Sequence, residues 1–442
     1  MINRIWIVII LATGVSAIMG YMYTTFAYYP KIAHSRDVNQ TIVGVILSLD
    51  SIPFMIVSLA SPFLMRKLGR KLWLLISISL WGIAIFGFAC LHFVHGKITF
   101  IVISLASRLT IGGTMSLYMT TSYSLVTILY KENTQKGIGR IQSSIGIGPI
   151  VWLILSSFIY KLFGYFVTFT VLSCTLALTF VLILVWIKNL EEEDESKSQN
   201  TFSHLDKSSY IFWDFRIIAG ILNSALAMML IDAPSSLVAD RFSEFDMPEY
   251  LKGLTLLFST IPFTIVSLLL HRLTKTSYKL KRLVICVGWI LLWVGFLLIG
   301  PSSVFQFPNK VWLILLGFCF FGVSYSSMIV SNIPLLQDYA NQYDTVSDEY
   351  NKVANYISGC HNLAFGFGAF VAPLIAPSIK QSIEYKGFTD LFALLCWVWM
   401  FIFIGLSCIP QSKKLKSHMI KENNSNDAKS TNDDINGSPL LT

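Results

Sequence analysis

The nonapeptide SIPFMIVSL (Ser51–Leu59) occurs almost unchanged a second time as TIPFTIVSL (Thr260–Leu268). Seven of the nine aligned positions are identical, at a constant spacing of 209 residues (260 − 51). The match continues upstream, where Gly44 falls on Gly253 at the same spacing. Because the identical positions include a proline, chance similarity between two apolar segments is a poor explanation. The pattern indicates an internal duplication of about half the chain.

The composition places this duplication in a membrane. Hydrophobic residues make up 54% of the 442 residues and charged residues only 13%, which is roughly half the charge of a soluble domain. Apolar stretches long enough to cross ~30 Å of hydrocarbon recur along the chain. Since lipid cannot satisfy backbone polar groups, these stretches are expected to be helices. We therefore predict an all-α membrane protein embedded in a lipid bilayer.

The net charge of +8 (33 − 25) does not indicate a nucleic-acid partner. The basic residues lie in short clusters between apolar segments, as the topology of membrane proteins requires. The seven cysteines lie in or beside apolar segments and include no CxxC pair, so neither a metal site nor a cofactor is expected.

Twelve membrane spans are predicted, numbered in chain order. Their approximate bounds are 5–29, 41–65, 72–94, 99–129, 141–160, 165–187, 213–238, 253–270, 283–300, 311–336, 353–376 and 388–409. The polar stretch 189–209 is acidic and rich in Ser, Lys and Asn, which is typical of a solvated linker. We expect a six-helix bundle at 1–188, a cytoplasmic linker at 189–209, a second bundle at 210–409 and a disordered cytoplasmic tail at 410–442.

The repeat relates the two predicted bundles. Gly113 of span 4 falls on Gly322 of span 10 at the spacing of 209. IGIG (Ile145–Gly148) of span 5 has a counterpart in FGFG (Phe365–Gly368) of span 11 at a spacing of 220. Two parallel six-helix repeats are a transporter architecture, in which the substrate binds midway between the halves.

The basic loops predict the orientation. RKLGRK (Arg66–Lys71) and HRLTKTSYKLKR (His271–Arg282) carry nine Lys and Arg residues between them. Over all short loops, thirteen basic residues lie on the side of these two loops and nine on the other. This bias places both termini and the linker in the cytoplasm.

The loop after span 2 carries a family resemblance. PFLMRKLGRK (Pro62–Lys71) resembles the loop motif of the major facilitator superfamily, although Pro62 and Arg66 replace its first glycine and its aspartate. The resemblance implies a role in gating for the four matching residues, Lys67, Gly69, Arg70 and Lys71. It also implies the fold of that superfamily for nearly the whole chain.

Two further motifs are similar to those of proton-coupled members. RLTIG (Arg108–Gly112) resembles the span 4 signature, and GIGRIQSSIGIGPIVW (Gly137–Trp152) resembles the antiporter motif of span 5. Trp152 and Leu153 stand where a pair of glycines is usual. Gly146, Gly148 and Pro149 are expected to let helices of opposite halves approach closely and bend during gating.

Within the superfamily, the vesicular amine branch and its polyamine transporter-like members show the greatest likeness. The likeness rests on YYPKIAHSRDVNQTIVG (Tyr28–Gly44), LIDAPSSL (Leu230–Leu237), GAFVAPLI (Gly368–Ile375) and IPLLQD (Ile333–Asp338). It implies transport of a cationic amine. Span 1 lacks the acidic residue of the monoamine carriers, so monoamine specificity is not expected.

Three charged residues lie well inside the spans: Asp50, Arg108 and Asp232. Charges in hydrocarbon are costly and therefore indicate function. Asp50 and Arg108 lie at similar depth, and two interpretations stay open: a structural pair that joins spans 2 and 4, or a protonatable carboxylate tuned by arginine. Asp232 has no obvious basic partner, and a carboxylate that can bind a proton or an organic cation is what an exchanger requires. The repeat places Ser259 where the first half has Asp50.

Aromatic and histidine residues are weaker candidates for the substrate or proton site. Aromatic residues cluster in spans expected to face the central cavity, where aromatic faces attract organic cations; they are Tyr21, Tyr23, Phe26, Tyr118, Tyr123 and Tyr325. We select Tyr21, Tyr118 and Tyr325 as candidates for the site. The alternative is ordinary packing among 61 aromatic residues (11 + 18 + 32). His361 titrates near physiological pH in solution, but it can equally be a hydrogen-bonded contact between helices.

These features predict a secondary transporter that works by alternating access. Its expected partners are a small organic solute, such as an amine or polyamine, and a coupling ion, a proton moving in the opposite direction. The expected form is a monomer in a vesicle membrane or plasma membrane. No phosphate-binding loop of the ATP-driven pumps occurs in the sequence, and no catalytic motif indicates an enzyme. A non-transporting receptor or adaptor on the same scaffold is the alternative.

Overall fold

The computed structural model describes residues 2–129, 134–187, 214–273, 277–300, 302, 305–340 and 347–409. Thirteen α-helices occur in these residues: α1 Ile2–His34, α2 Gln40–Ser48, α3 Ser51–Leu68, α4 Arg70–Ala89, α5 Lys97–Leu129, α6 Thr134–Trp186, α7 Phe215–Ser236, α8 Val238–Ser243, α9 Glu249–Thr255, α10 Leu257–Leu273, α11 Tyr278–Ile299, α12 Val311–Ala340 and α13 Ser347–Cys408. The described residues contain no β-strand.

Ten helical stretches among these residues are long and apolar enough to cross a membrane. Two of them, Ser143–Trp186 and Cys360–Cys408, have 44 and 49 residues, about twice the length that one crossing needs. Each contains a sharp kink, at Gly164 with φ 79° and at Glu384 with φ 58°. Division at these kinks yields the twelve predicted spans, so the all-α fold class is confirmed.

Spans 2, 7 and 8 are each broken, although the sequence predicted continuous helices. Span 2 consists of α2 and α3, interrupted at Leu49 and Asp50. Pro53 has no N–H to donate to the carbonyl of Leu49 four residues earlier, which accounts for the interruption there. Span 7 consists of α7 and α8, and span 8 of α9 and α10. Span 1 continues to His34, beyond its predicted end.

The repeat is visible in how the helices pack. A Cβ atom at Gly112 would lie 1.9 Å from the carbonyl oxygen of Asp50, and one at Gly322 would lie 2.0 Å from that of Ser259. Only glycine permits such an approach. Asp50 and Ser259 are 209 residues apart, whereas the two glycines are 210 apart. The structural counterpart of Gly322 is therefore Gly112 and not Gly113. The chain between the two contacting residues is one residue longer in the second half than in the first.

Spans 5 and 11 repeat a second contact. A Cβ atom at Gly148 would lie 2.8 Å from Cα of Ser16, and one at Gly368 would lie 2.1 Å from the carbonyl oxygen of Ala225. Ser16 and Ala225 are again 209 residues apart. The predicted correspondence of IGIG with FGFG therefore matches the packing.

Buried hydrophobic residues form two clusters. One draws its members from residues 8–187 and the other from residues 217–403, together with Leu153. We call residues 2–187 the first half and residues 214–409 the second half. Their division into two bundles remains a proposal, since the predicted linker at 189–209 and tail at 410–442 lie outside the described residues.

The duplicated nonapeptide lies where the halves meet. Gly44 packs against the carbonyl oxygen of Pro373, which a Cβ atom would approach to 2.1 Å. A Cβ atom at Gly366 would lie 2.6 Å from Met55 Cγ, and in the symmetric contact Thr264 Oγ1 donates a hydrogen bond of 2.9 Å to the carbonyl oxygen of Gly146. Spans 2 and 8 therefore contact spans 11 and 5 of the opposite half.

Candidate functional site

Asp232 lies on α7 and is partly buried. It has no hydrogen bond or ion pair to any described residue, in agreement with the sequence-based expectation that it lacks a basic partner. Tyr23 of span 1, Tyr325 of span 10 and the carboxylate of Asp50 are close enough to interact with it electrostatically. Asp232 thus interacts with groups of both halves, Tyr23 and Asp50 of the first half and Tyr325 of the second.

A small cavity of about 20 Å³ is lined by Ile231, the residue that precedes Asp232. Such a volume holds about one water molecule. Tyr325 lines it and stacks on Phe263 with ring centroids 5.0 Å apart. The other lining residues come from spans 1, 7, 8 and 10: Tyr23, Ser235, Ser259, Thr260, Phe318, Phe321 and Gly322.

Asp50 and Arg108 form a buried ion pair within the first half. Arg108 Nη1 lies 2.6 Å from Asp50 Oδ2, and the arginine side chain is 2% exposed. The guanidinium carbon lies 5.5 Å from the centre of the Tyr21 ring and 5.7 Å from that of Phe88. Two rings and one carboxylate therefore compensate the arginine charge. The pairing considered from the sequence is present, and Tyr21 belongs to it.

Tyr118 and His361 lie apart from both groups. The hydroxyl of Tyr118 donates to the carbonyl oxygen of Leu11 at 3.3 Å, inside the first half. His361 Nδ1 shares a hydrogen bond of 2.6 Å with Ser224 Oγ, to which Asn332 Nδ2 also donates. This network joins spans 7, 10 and 11 and matches the helix-contact interpretation of His361.

The sequence analysis named Tyr23 only as one of the aromatic residues expected to face the cavity, and it selected Tyr21 of the same span for the site. It packs against the core cluster of the second half, whereas Tyr21 is fully buried in the first half. Residues two apart on a helix point to different faces, so only one of the two tyrosines can face the neighbouring half. Helical spacing alone could have shown that the two tyrosines lie on different faces, but it could not have shown which face is turned toward Asp232.

The residues predicted to act in gating occupy different surroundings. Gly69 has φ 75° and precedes α4, where Arg70 Nε donates to Ser124 Oγ at 3.0 Å. Lys71 follows in the first turn of α4 and is partly buried. The side chain of Lys67 lies outside the described residues.

The glycines of span 5 make two different contacts. Gly146 contacts Thr264 of the other half, as expected, but Gly148 packs on Ser16 of its own half. The expectation that both serve contacts between halves is therefore wrong for Gly148. Pro149 lies inside α6.

Trp152 occupies one of the two positions where the motif usually has glycine. In the structure, a glycine on the facing helix makes room for its indole ring. A Cβ atom at Gly20 on span 1 would lie 2.2 Å from Trp152 Cγ. The glycine at this contact is thus on span 1 and not on span 5, so the two spans still pack closely around the indole.

The sequence analysis missed a polar cluster at the end of the molecule where span 1 finishes at His34, here called the His34 end. Asp240 of α8 accepts a 2.5 Å hydrogen bond from Gln40 and lies 3.8 Å from His34 Nε2 and 3.3 Å from Lys380 Nζ. Gln40 and His34 belong to the first half, and Asp240 and Lys380 to the second. The contacts around Asp240 therefore join the halves.

Glu249 makes a second junction in the polar cluster. Its carboxylate lies 3.6 Å from Lys31 Nζ of the first half and 2.8 Å from Lys252 Nζ of the second. The acidic residues of both junctions come from the second half, and basic or amide groups of the first half face them.

The geometry of paired halves with a charge between them agrees with a family comparison. The family model described as Major Facilitator Superfamily matches residues 9–360. The chain belongs to this superfamily. It is accordingly a multi-pass membrane transporter and not an enzyme.

Individual relatives are similar over most of their length. The chain is 23% identical to the human MFS-type transporter SLC18B1, covering 93% of this chain and 90% of the relative, and 20% identical to the mouse protein of the same name, covering 90% and 86%. These relatives confirm the resemblance to the vesicular amine branch that the sequence motifs indicated.

Solved structures share the fold. A mutant form of the nucleoside transporter NupG superposes with a TM-score of 0.70 at 15% identity, over 91% of this chain and 99% of that chain. The D-xylose-proton symporter superposes with a TM-score of 0.69 at 14% identity, over 93% and 99%. At these identities the likeness concerns the superfamily fold alone.

Proposed function

We propose that this superfamily transporter exchanges a small organic cation, such as an amine or polyamine, for protons, and that Asp232 binds both. The observation that carries the proposal is the carboxylate of Asp232, which has no hydrogen bond or ion pair to any described residue and interacts with Tyr23 and Tyr325 of opposite halves. A lone carboxylate at this depth is costly while charged. A proton or a cation each neutralises it, and since both need the same oxygens, binding of one displaces the other.

The tyrosines add to the attraction for a cation. The faces of aromatic rings carry negative charge density and stabilise an adjacent ammonium group. Tyr23 comes from the first half and Tyr325 from the second, so a cation between them contacts both halves. This arrangement supports alternating access, because binding couples the position of one half to the other.

Asp50 has a different role in this proposal. Its pairing with Arg108 compensates its charge within the first half, which favours the structural interpretation of that pair. Asp50 is the candidate for proton binding if Asp232 proves dispensable.

The orientation follows from the basic loops. With both termini in the cytoplasm, the His34 end faces the lumen of a vesicle or the cell exterior. The polar cluster at that end supports a form closed on the non-cytoplasmic side. We propose a monomer as the working unit, since each chain contains both halves.

Uptake into proteoliposomes tests the proposal. The purified chain is reconstituted, an interior-acid gradient is imposed and uptake of radiolabelled spermidine is followed, with Asp232→Asn compared with the wild type. We expect uptake that follows the gradient and falls at least about tenfold in the variant, because the asparagine cannot exchange a proton. Asp37→Asn is the matched control, because it makes the same chemical change at an exposed residue.

Each outcome has a distinct meaning. Uptake unaffected by Asp232→Asn would remove Asp232 from the mechanism and leave Asp50 as the candidate. Uptake that ignores the proton gradient would contradict exchange. No uptake of spermidine or of a panel of other cations would favour the receptor or adaptor alternative, which predicts none.

A further inference from the structure

The cavity lined by Ser259 and Tyr325 occupies the position that an ion pair fills in the first half. Ser259 corresponds to Asp50, because a glycine of the neighbouring helix packs closely against the backbone carbonyl oxygen of each: Gly322 against Ser259 and Gly112 against Asp50. Four residues before those glycines stand Arg108 and Phe318. The first half therefore has an Asp–Arg pair where the second half has Ser259 and Phe318, and both of these line the cavity.

The hydroxyl groups of this cavity can accept hydrogen bonds more readily than donate them. Ser259 Oγ donates to the carbonyl oxygen of Leu256 at 2.8 Å, and Ser235 Oγ donates to that of Ile231 at 3.0 Å. Thr260 Oγ1 makes a similar contact of 3.5 Å within its helix. A hydroxyl has one hydrogen to donate and two lone pairs to offer. With the hydrogens engaged by the helix, oxygen lone pairs remain for a ligand.

The remaining surface has the same preference. The rings of Phe263 and Tyr325 present π-electron density, and the nearby carboxylate of Asp232 accepts hydrogen bonds when ionised. Acceptors and aromatic faces match a cation with N–H groups. An ammonium group is similar in size to a water molecule, which is what a volume of about 20 Å³ admits.

We infer that this cavity is the subsite that receives the N–H groups of the transported cation, and that Ser259 and Thr260 determine its specificity. The inference rests on the proposed function, and it adds a prediction. Primary and secondary ammonium groups bind there, whereas a quaternary ammonium of the same chain length is rejected, because it has no N–H to donate and is too large.

Competition assays test the inference. Inhibition of spermidine uptake by hexylamine is compared with inhibition by hexyltrimethylammonium, in the wild type, Ser259→Ala and Thr260→Val. Thr260→Val keeps the shape and removes the acceptor. The wild type should prefer the primary amine, and each variant should lose about tenfold in apparent affinity for it, as for a lost hydrogen bond to a charged group. Affinity for the quaternary ion should stay unchanged.

A matched control separates specificity from folding. Ser324→Ala also removes a buried serine that bonds to its own helix, at the carbonyl oxygen of Phe321, but Ser324 does not line the cavity. It should leave the selectivity as in the wild type. Size-exclusion profiles identify variants that misfold, and the two cavity variants serve as alternatives to each other.

The outcomes distinguish this inference from the proposed function. Reduced preference for the amine in Ser259→Ala or Thr260→Val supports the subsite. Transport with unchanged selectivity in both folded variants would overturn it while leaving exchange at Asp232 intact. A wild type that neither transports nor binds any ammonium ion would overturn both.

Discussion

Two ion pairs among the described residues differ in burial and in what they join. Asp50 and Arg108 lie within the first half, with side chains 10% and 2% exposed. Lys31 and Glu249 join the two halves at the His34 end, with side chains 55% and 21% exposed. A pair inside one half keeps its geometry when the halves move, whereas a pair between halves must break. Of these two pairs, the one inside a half is thus the more buried, and the one that the proposed transport cycle opens is the more exposed.

The largest effect is expected from breaking the buried pair. Arg108→Met leaves the Asp50 carboxylate buried and uncompensated, which should cost about 3–5 kcal/mol of unfolding free energy. The double variant Asp50→Asn with Arg108→Met should recover most of that loss. Denaturant unfolding in detergent measures both. A single variant as stable as the wild type would show that the pair does not hold spans 2 and 4 together.

A smaller effect is expected where the halves meet inside the membrane. Gly44→Val places side-chain atoms against the carbonyl oxygen of Pro373, so it should lower stability by about 1–3 kcal/mol. The unfolding midpoint and the yield of folded protein measure the change. Gly405→Val is the control, since no atom of the described residues lies within 4 Å of a Cβ position at Gly405. Equal losses in both variants would attribute the effect to valine and not to the interface.

The polar cluster should respond without global unfolding. Asp240→Asn weakens contacts with His34, Gln40 and Lys380, so the halves should separate more often at that end. We expect hydrogen–deuterium exchange in residues 35–41 to rise about fivefold, since a charged acceptor is replaced by a neutral one. Asp246→Asn, which changes an exposed residue nearby, should leave exchange as in the wild type. Unchanged exchange in Asp240→Asn would mean that Asp240 does not hold the halves together.

The smallest effect is expected for the exposed pair. Lys31→Met removes a 3.6 Å contact with Glu249, but exposed pairs contribute less than about 1 kcal/mol. Exchange in residues 35–41 should therefore change less than in Asp240→Asn. A larger effect in Lys31→Met would reverse the ranking of the two junctions.

The sequence alone determined the class of the protein and much of its organisation. Hydropathy predicted twelve spans, the repeat at Ser51–Leu59 indicated duplication, and the loop motif identified the superfamily. It also singled out Asp232 as the charge without a partner and offered Asp50 with Arg108 as a pair. These inferences succeed because span length, apolar composition and charge are properties of short segments. They decide by themselves whether a segment is stable in the hydrocarbon of a bilayer.

Only the tertiary structure decided which side chains meet. It placed Tyr23 and not Tyr21 beside Asp232, made Gly112 the counterpart of Gly322, and joined the halves through Asp240. The sequence could not decide these points, because they depend on the rotation of each helix about its axis and on its neighbours. Hydrophobicity on all sides of a membrane helix leaves that rotation unspecified, and close packing of the assembled bundle then selects it.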